Sequence, residues 1–335
     1  VRGEYTVRNF GTLPCGNLYG FFAERSEVFR HPQGFISLII PLSMMATPNM
    51  QSVMEMMDAA YKSMWVSYYS NRPDQLFEGA QNFLAIYIAA SASPSKQKHT
   101  TGLRRWPSQQ RYAVFETINY ASVDVSKTYR SYAYPKFQSE LDQSIWNKLD
   151  SLADRLSHYA SHQFMSGETA LYCYGGVYWT KARTFDSFVI RNGVKAVSTA
   201  DRPFRMREGI PPASVVAILN STLHFWFWTN FSDCRNKTYN VMLDMPMSKP
   251  LVQSKTLAAL GDALMDGYKE NAEKKIRDGR NRTEFSEFYP KLSKPIIDKI
   301  DQEIGRTIGL TAEEIDYVIN YDVRFRMGAD EDDAE

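Results

Sequence analysis

The 335-residue chain is 44% hydrophobic and 23% charged with a formal net charge of +1, which excludes a disordered polymer and leaves room for two domains with real cores. Its longest apolar run, Phe35 to Leu42, is far shorter than the roughly 20 residues of a bilayer span, and no charged-then-apolar leader opens it, so a cytoplasmic protein without membrane contact is expected. Cys15, Cys173 and Cys234 form no Cys-x-x-Cys pair, so neither a disulfide framework nor a zinc cluster is indicated.

In chain order, Leu18 to Phe29 places Leu18, Phe21, Phe22, Arg25 and Phe29 near helical spacing and predicts an amphipathic helix. His31-Pro32-Gln33-Gly34 ends it, and the continuous apolar run Phe35 to Pro41 predicts a strand buried on both faces. Thr47-Pro48 opens a Met-rich helix to about Tyr61. Lys62 to Ser70 and Phe83 to Ala89 read as strands that can pair antiparallel across the polar insert Asn71 to Gly79. Ser91 to Ser95 is a short low-complexity hinge and the expected domain boundary. Beyond it, Leu141 to His162 reads as a helix, Leu171 to Trp179 as a strand with a Gly-Gly bend, and Val215 to Phe231 as one apolar helix. From Lys255 the pattern is helical, interrupted at Asp278-Gly279 and resumed at Pro295.

The small net charge hides a gradient. Over residues 96–140, Lys96, Lys98, Arg104, Arg105, Arg111, Lys127, Arg130 and Lys136 are set against only Glu116, Asp124 and Glu140. Residues 181–207 are similarly basic, whereas the chain finishes in Asp330-Glu331-Asp332-Asp333. A basic middle beside an acidic tail is the footprint of a polyanion-facing region or of plain solvated surface. No Gly-x-Gly-x-x-Gly, P-loop or Gly-x-Ser-x-Gly motif is present, and His158 and His162, four apart without an intervening glutamate pattern, do not form a metalloprotease site. No metal ligand set is assigned.

Four stretches carry a resemblance. Gly16 to Phe22, Gly34-Phe35 to Ser43 and Leu76-Phe77-Glu78-Gly79 resemble the catalytic domain of restriction–modification adenine-specific DNA methyltransferases just after their catalytic loop. Ala217 to Phe227 is similar to a helix of their DNA-recognition part, and Tyr289 to Asp298 with Asp316 to Gly328 is similar to their C-terminal tail. The resemblance implies an α/β fold: the C-terminal half of a Rossmann-like class I methyltransferase sheet (residues 1–93), a mixed α+β target-recognition region (94–250) and a helical tail (251–335). It implies S-adenosylmethionine as cofactor, double-stranded DNA as partner and N6-adenine methylation as the reaction. The family's glycine-rich cofactor turn and (Asn/Asp)-Pro-Pro-(Tyr/Phe) loop are absent from the sequence, so no catalytic or cofactor-binding residue is assigned. The chain alone is expected to be inactive, a second chain or segment supplying the cofactor site. A non-catalytic specificity subunit and an inactive remnant are the alternatives.

By the same resemblance Phe77 corresponds to an aromatic that stacks on the extruded base, the alternative being a hydrophobic plug between strands. Arg72 beside it is a candidate phosphate contact or an ordinary surface arginine. Arg104, Arg105, Arg202 and Arg205 of the basic stretches, with Arg235 and Lys237 of the loop after the apolar helix, are the further DNA-contact candidates. An ordinary solvated loop is the other reading of Arg235 and Lys237.

Overall fold

A computed structural model describes residues 9–125, 133–279 and 282–328. Lys127, Arg130 and the acidic run from Asp330 lie outside the described residues. The described fold is mixed α/β, with four sheets and eleven α-helices, and none of its helices is long and apolar enough to cross a membrane. The chain divides into two units: residues 1–144, 229–235 and 330–335, and residues 145–228 with 236–329.

The first unit begins with α1 (Leu18–Phe29), matching the expected limits. Its buried face, however, is Gly20, Phe21 and Ala23, while Leu18, Phe22 and Phe29 stay exposed. Strand β1 (Phe35–Pro41), helix α2 (Gln51–Ala60), and strands β2 (Ser63–Tyr69), β3 (Leu84–Ala90), β4 (Gln97–Arg104) and β5 (Ala121–Val123) follow. They form a five-stranded sheet of order β1-β3-β2-β4-β5. Strand β3 is antiparallel to both β1 and β2, Phe35 facing Ala90 and Ser63 facing Ala90 from either side. Hence β1 and β2 run parallel, joined by α2 as a crossover. The expected antiparallel pairing across the polar insert is therefore present.

Burial follows sheet position. Central β2 is covered on both faces, so Met64, Val66 and Tyr68 are buried on one side and Ser67 and Tyr69 on the other. Strand β1 is an edge strand: Ile36 and Ile40 are buried, but Phe35 and Ile39 are exposed. The expectation of a strand buried on both faces is thus corrected, because a continuous apolar run cannot distinguish a central strand from an edge strand. Ser91 to Ser95 is a link within the sheet, since β4 pairs parallel to β2 and β5 pairs with β4. The sheet accordingly extends past the expected boundary at residue 93, to Val123.

Chain order continues with α3 (Glu140–Asp150), β6 (Asp154–Arg155), β7 (Ala160–Ser161), β8 (Thr169–Cys173), β9 (Val189–Arg191), β10 (Val194–Lys195) and β11 (Asp201–Met206). Then come α4 (Pro212–Asn220), α5 (Thr222–Phe231), α6 (Tyr239–Met242), β12 (Pro246–Met247), α7 (Lys249–Val252) and α8 (Lys255–Glu270). Strands β13 (Glu273–Arg277) and β14 (Thr283–Glu287) and helices α9 (Lys294–Thr307), α10 (Ala312–Ile319) and α11 (Val323–Arg326) complete it. The expected helix from Leu141 to His162 stops at Asp150, so His158 and His162 are not on one helix. His158 Nδ1 lies 3.0 Å from Asp154 Oδ1, and His162 stacks on Tyr239 at 4.1 Å.

The expected single apolar helix is two. Ser221 is extended, and its hydroxyl donates to Ile218 O (2.7 Å) while accepting from the His224 N–H (3.0 Å), so a side chain replaces the helical ladder there. Asp301 of α9 accepts from the Thr222 and Leu223 N–H groups at 3.0 and 2.9 Å, capping the second helix from a distant element. Helix α8 packs so closely on α4 that a Cβ at Gly261 would stand 2.0 Å from Ala213 O. The helical tail is also interrupted: β13 and β14 form a hairpin that joins β9 and β10 in a sheet of order β10-β9-β14-β13.

Candidate functional site

The connection from β2 to β3, residues 70–83, is anchored on its inner side at several points. Leu76 packs with Tyr69, Leu84, Trp106 and Val114. Trp106 Nε1 donates to Asp74 Oδ2 at 3.2 Å, and the Asp74 N–H donates to Trp106 O at 3.2 Å. Arg111 donates to the Gln75 and Leu76 carbonyls, the latter at 2.8 Å, and sits 3.4 Å from Asp74 Oδ2. Arg105 Nη1 donates to Ser70 Oγ (2.9 Å) and Asn71 Nδ2 to Gln81 O (3.0 Å). Loop carbonyls that a strand ladder would have satisfied are thus met by side chains, which fixes the loop. Gly79, at φ +75°, supplies the left-handed residue of the turn in which the Ala80 N–H donates to Phe77 O at 3.0 Å.

Phe77, between the anchored Leu76 and this turn, is left 45% exposed. The plug between strands is therefore Leu76, at 8% exposure, and not Phe77. An aromatic ring held open to solvent on a braced loop can stack on a flat partner without first ordering its own backbone. Tyr112 and Phe115 are also exposed, at 79% and 57%. They lie on the segment from which Arg111 reaches the loop. Sequence reasoning passed over both, although two aromatics closely following a basic residue were a usable signal.

The basic candidates of this unit occupy different environments. Arg72 is exposed on the same loop as Phe77. Arg104 is engaged inward: its Nη groups donate to Val114 O (2.8 Å), Thr117 O (2.9 Å) and Thr117 Oγ1 (2.7 Å). Burial pushes its guanidinium below the ordinary value. Arg105 braces Ser70, as above. Lys136, counted in the basic stretch, is fully buried, donating to Asn230 O (3.1 Å) and Ser232 O (2.7 Å). Lys98 is paired with Asp58 and lies 4.4 Å from the Tyr134 ring centroid. Much of the apparent patch over residues 96–140 is thus internal cross-bracing, because arginine and lysine donate to carbonyls as readily as to phosphates. Arg235 is exposed, its own N–H donating to Asp233 Oδ1 at 3.1 Å.

In the second unit, Arg202 and Arg205 are three apart on β11 and so project to opposite faces. Arg202 lies 4.4 Å from the Tyr174 ring centroid and donates to Thr199 O (2.9 Å). Arg205 is exposed and donates to Phe164 O at 3.0 Å. Lys237 fits neither the expected DNA contact nor its alternative, an ordinary solvated loop. It is 1% exposed, its ammonium 4.6 Å from the Trp228 ring centroid and donating to Gly176 O. It is not available to a phosphate.

A cofactor cradle of the kind the resemblance implies is not formed by the crossover that the first unit does contain. The connection from β1 to α2 contains no glycine and buries Leu42, Met44, Met45 and Met50, so it is not a glycine-rich turn of the kind that dinucleotide-type cofactors use. No protein-family model and no curated protein matches the chain.

Proposed function

We propose that the chain is the distal part of an adenine-specific DNA methyltransferase, in which Phe77 stacks on the extruded base. The carrying observation is the half-exposed Phe77 ring on a braced loop immediately before an antiparallel strand. A flipped base has lost both stacking neighbours, and a preset aromatic face returns part of that loss. The chemistry of methyl transfer belongs, in this reading, to a separate segment that binds S-adenosylmethionine and carries the Pro-Pro loop. Two features favour a joining segment: β1 is an edge strand among the described residues, and Phe35, Ile39, Leu18, Phe22 and Phe29 expose apolar surface around it.

The test combines this chain with a cofactor-binding methyltransferase segment and follows methyl incorporation into duplex adenine. Phe77→Ala should slow transfer by roughly ten- to a hundredfold, since stacking on one side chain is worth about 1–3 kcal/mol. DNA affinity should change little, and Phe77→Tyr or Phe77→Trp should keep most of the rate. Full activity in Phe77→Leu would remove the residue from the site. Tight S-adenosylmethionine binding by this chain alone, with methyl transfer to DNA, would overturn the assignment of the cofactor site to another segment.

A further inference from the structure

The four-stranded sheet of the second unit contains cations that no carboxylate among the described residues pairs with. Every residue of β13 is exposed, and β13 is the outer strand of the sheet. Register places Arg277, Thr283 and Arg191 in one row across three strands, hence on one face. The adjacent row, Ile276, Glu284, Ile190 and Lys195, lies on the other face, which Lys274 shares, two residues from Ile276. Lys275 is held by Glu273 at 3.1 Å and Arg282 by Glu284 at 3.7 Å. Among the described residues, Arg191, Lys195, Lys274 and Arg277 have no carboxylate within ion-pair distance. Two of them instead lie against aromatic rings: Arg277 is 5.4 Å from the Phe285 centroid and Lys274 is 5.0 Å from that of Phe188. These contacts restrict the long side chains while leaving their charge uncompensated.

We propose that the outer ribbon of this sheet, β13 with β14, is a double-stranded DNA contact element that enters the major groove edge-on, with Arg277 facing one phosphate wall and Lys274 the other, and with Arg191 and Lys195 of the inner strands β9 and β10 continuing the same two faces. The proposal rests on the DNA reading above. A sheet that lay flat on a duplex would need its cations on one face. Here both faces have them, and a groove about 12 Å wide, bounded by a phosphate backbone on each side, accepts a two-stranded ribbon. Lysines on an edge strand can also serve only to prevent sheet-to-sheet association, and the experiment separates the two roles.

Binding of the full chain to a fluorescent 30-base-pair duplex is measured by anisotropy between about 50 and 200 mM salt, for wild type and for Arg191→Gln/Lys195→Gln/Lys274→Gln/Arg277→Gln. The expected result is an affinity loss of about tenfold or more, and a salt slope smaller by about 3. The exposed pair Lys274→Gln/Arg277→Gln, with folding checked by circular dichroism, should give about half of that change in slope. A control with Lys255→Gln, Lys299→Gln and Arg306→Gln, exposed on α8 and α9, should bind as wild type does. Wild-type binding with unchanged affinity and slope in the folded pair variant overturns this inference alone, as does self-association as the only effect. Absence of salt-dependent duplex binding by wild type overturns the DNA reading and this inference together. Tighter binding of an RNA duplex of the same sequence overturns the assignment to DNA.

Discussion

Lys237 shows how a cation that looks solvent-facing in sequence becomes part of a core. Its methylene stem is buried, and its ammonium is offered a carbonyl and an indole face. Lys136 does the same against the carbonyls of Asn230 and Ser232, and burial holds its ammonium below the ordinary value. Arg326 is the extreme case: it lies 4.1 and 4.5 Å from the ring centroids of Trp179 and Phe225, with Nη1 donating to Thr222 Oγ1 at 3.0 Å. Such residues act on stability. Lys237→Ala should destabilise the protein by about 1–3 kcal/mol, because it removes a buried methylene stem together with the ammonium's carbonyl and indole contacts. Arg235→Ala, at an exposed position, should stay within roughly 0.5 kcal/mol. Urea unfolding of the two variants beside wild type checks this, and equal midpoints would show that Lys237 is not part of the core.

At the scale of elements, the loop between β2 and β3 depends on one arginine more than on its own sequence. Arg111 satisfies two successive loop carbonyls and an aspartate. Arg111→Ala should therefore raise amide exchange across residues 74–80 by about tenfold, the equivalent of roughly 1.4 kcal/mol of local opening, while β2 and β3 exchange as before. Unchanged protection in the loop would mean that Leu76 and the bonds from Trp106 and Arg105 anchor it without Arg111. The loop's position was legible in sequence, since two strand patterns flank a polar insert with Pro and Gly. Its bracing was not, because Arg111 reaches it from more than thirty residues away. The same distinction runs through the fold. Leu18–Phe29, β2 and β3 follow from local periodicity and were read almost to the residue. The break at Ser221 is hidden because the apolar pattern continues through it, and the second start depends on the Ser221 hydroxyl accepting from His224 and on Asp301, from a distant helix, accepting from Thr222 and Leu223. Strand β13 is hidden too: Glu-Lys-Lys-Ile-Arg has no alternation of its own and becomes a strand by pairing with β14, which β9 supports from far upstream. Of the candidate site, the loop that carries Phe77 was legible in sequence, whereas the inward-turned Arg104 and Lys237 show that charge counts do not report direction.

At the scale of the whole second unit, two fully buried groups should oppose one another as pH changes. His224 donates from Nε2 to Met242 O at 2.8 Å, and burial pushes its imidazole down to about 4 from the ordinary 6.5. The unfolded chain takes up this proton first on acidification, so His224 contributes stability above pH 6.5 that is lost as pH falls toward 4. Asp301 is pushed up to about 6 from 3.8, burial outweighing its hydrogen bonds to Leu223 and Thr222 and the nearby Arg326. Here the native state holds the proton more tightly, so its contribution is complete below pH 3.8 and is lost as pH rises toward 6. Each shift corresponds to about 3 kcal/mol in order of magnitude. Between pH 6 and 4 the two nearly offset, and wild type should show a shallow profile there. His224→Gln, whose amide can still donate to Met242 O, leaves only the aspartate: relative to wild type, its stability should rise on going from pH 6.5 to 4.5. Asp301→Asn, which keeps an acceptor for the α5 N-terminus, leaves only the histidine and should fall over the same range. Differences between variants cancel the contribution of Glu24, Glu27 and Asp58 in the other unit, whose lowered values act near and below their ordinary 4.5 and 3.8. Denaturant unfolding at pH 7, 5.5 and 4.5 for the three proteins measures it. Parallel profiles for all three would mean that both groups keep one protonation state throughout, and that the acid response of this unit originates elsewhere.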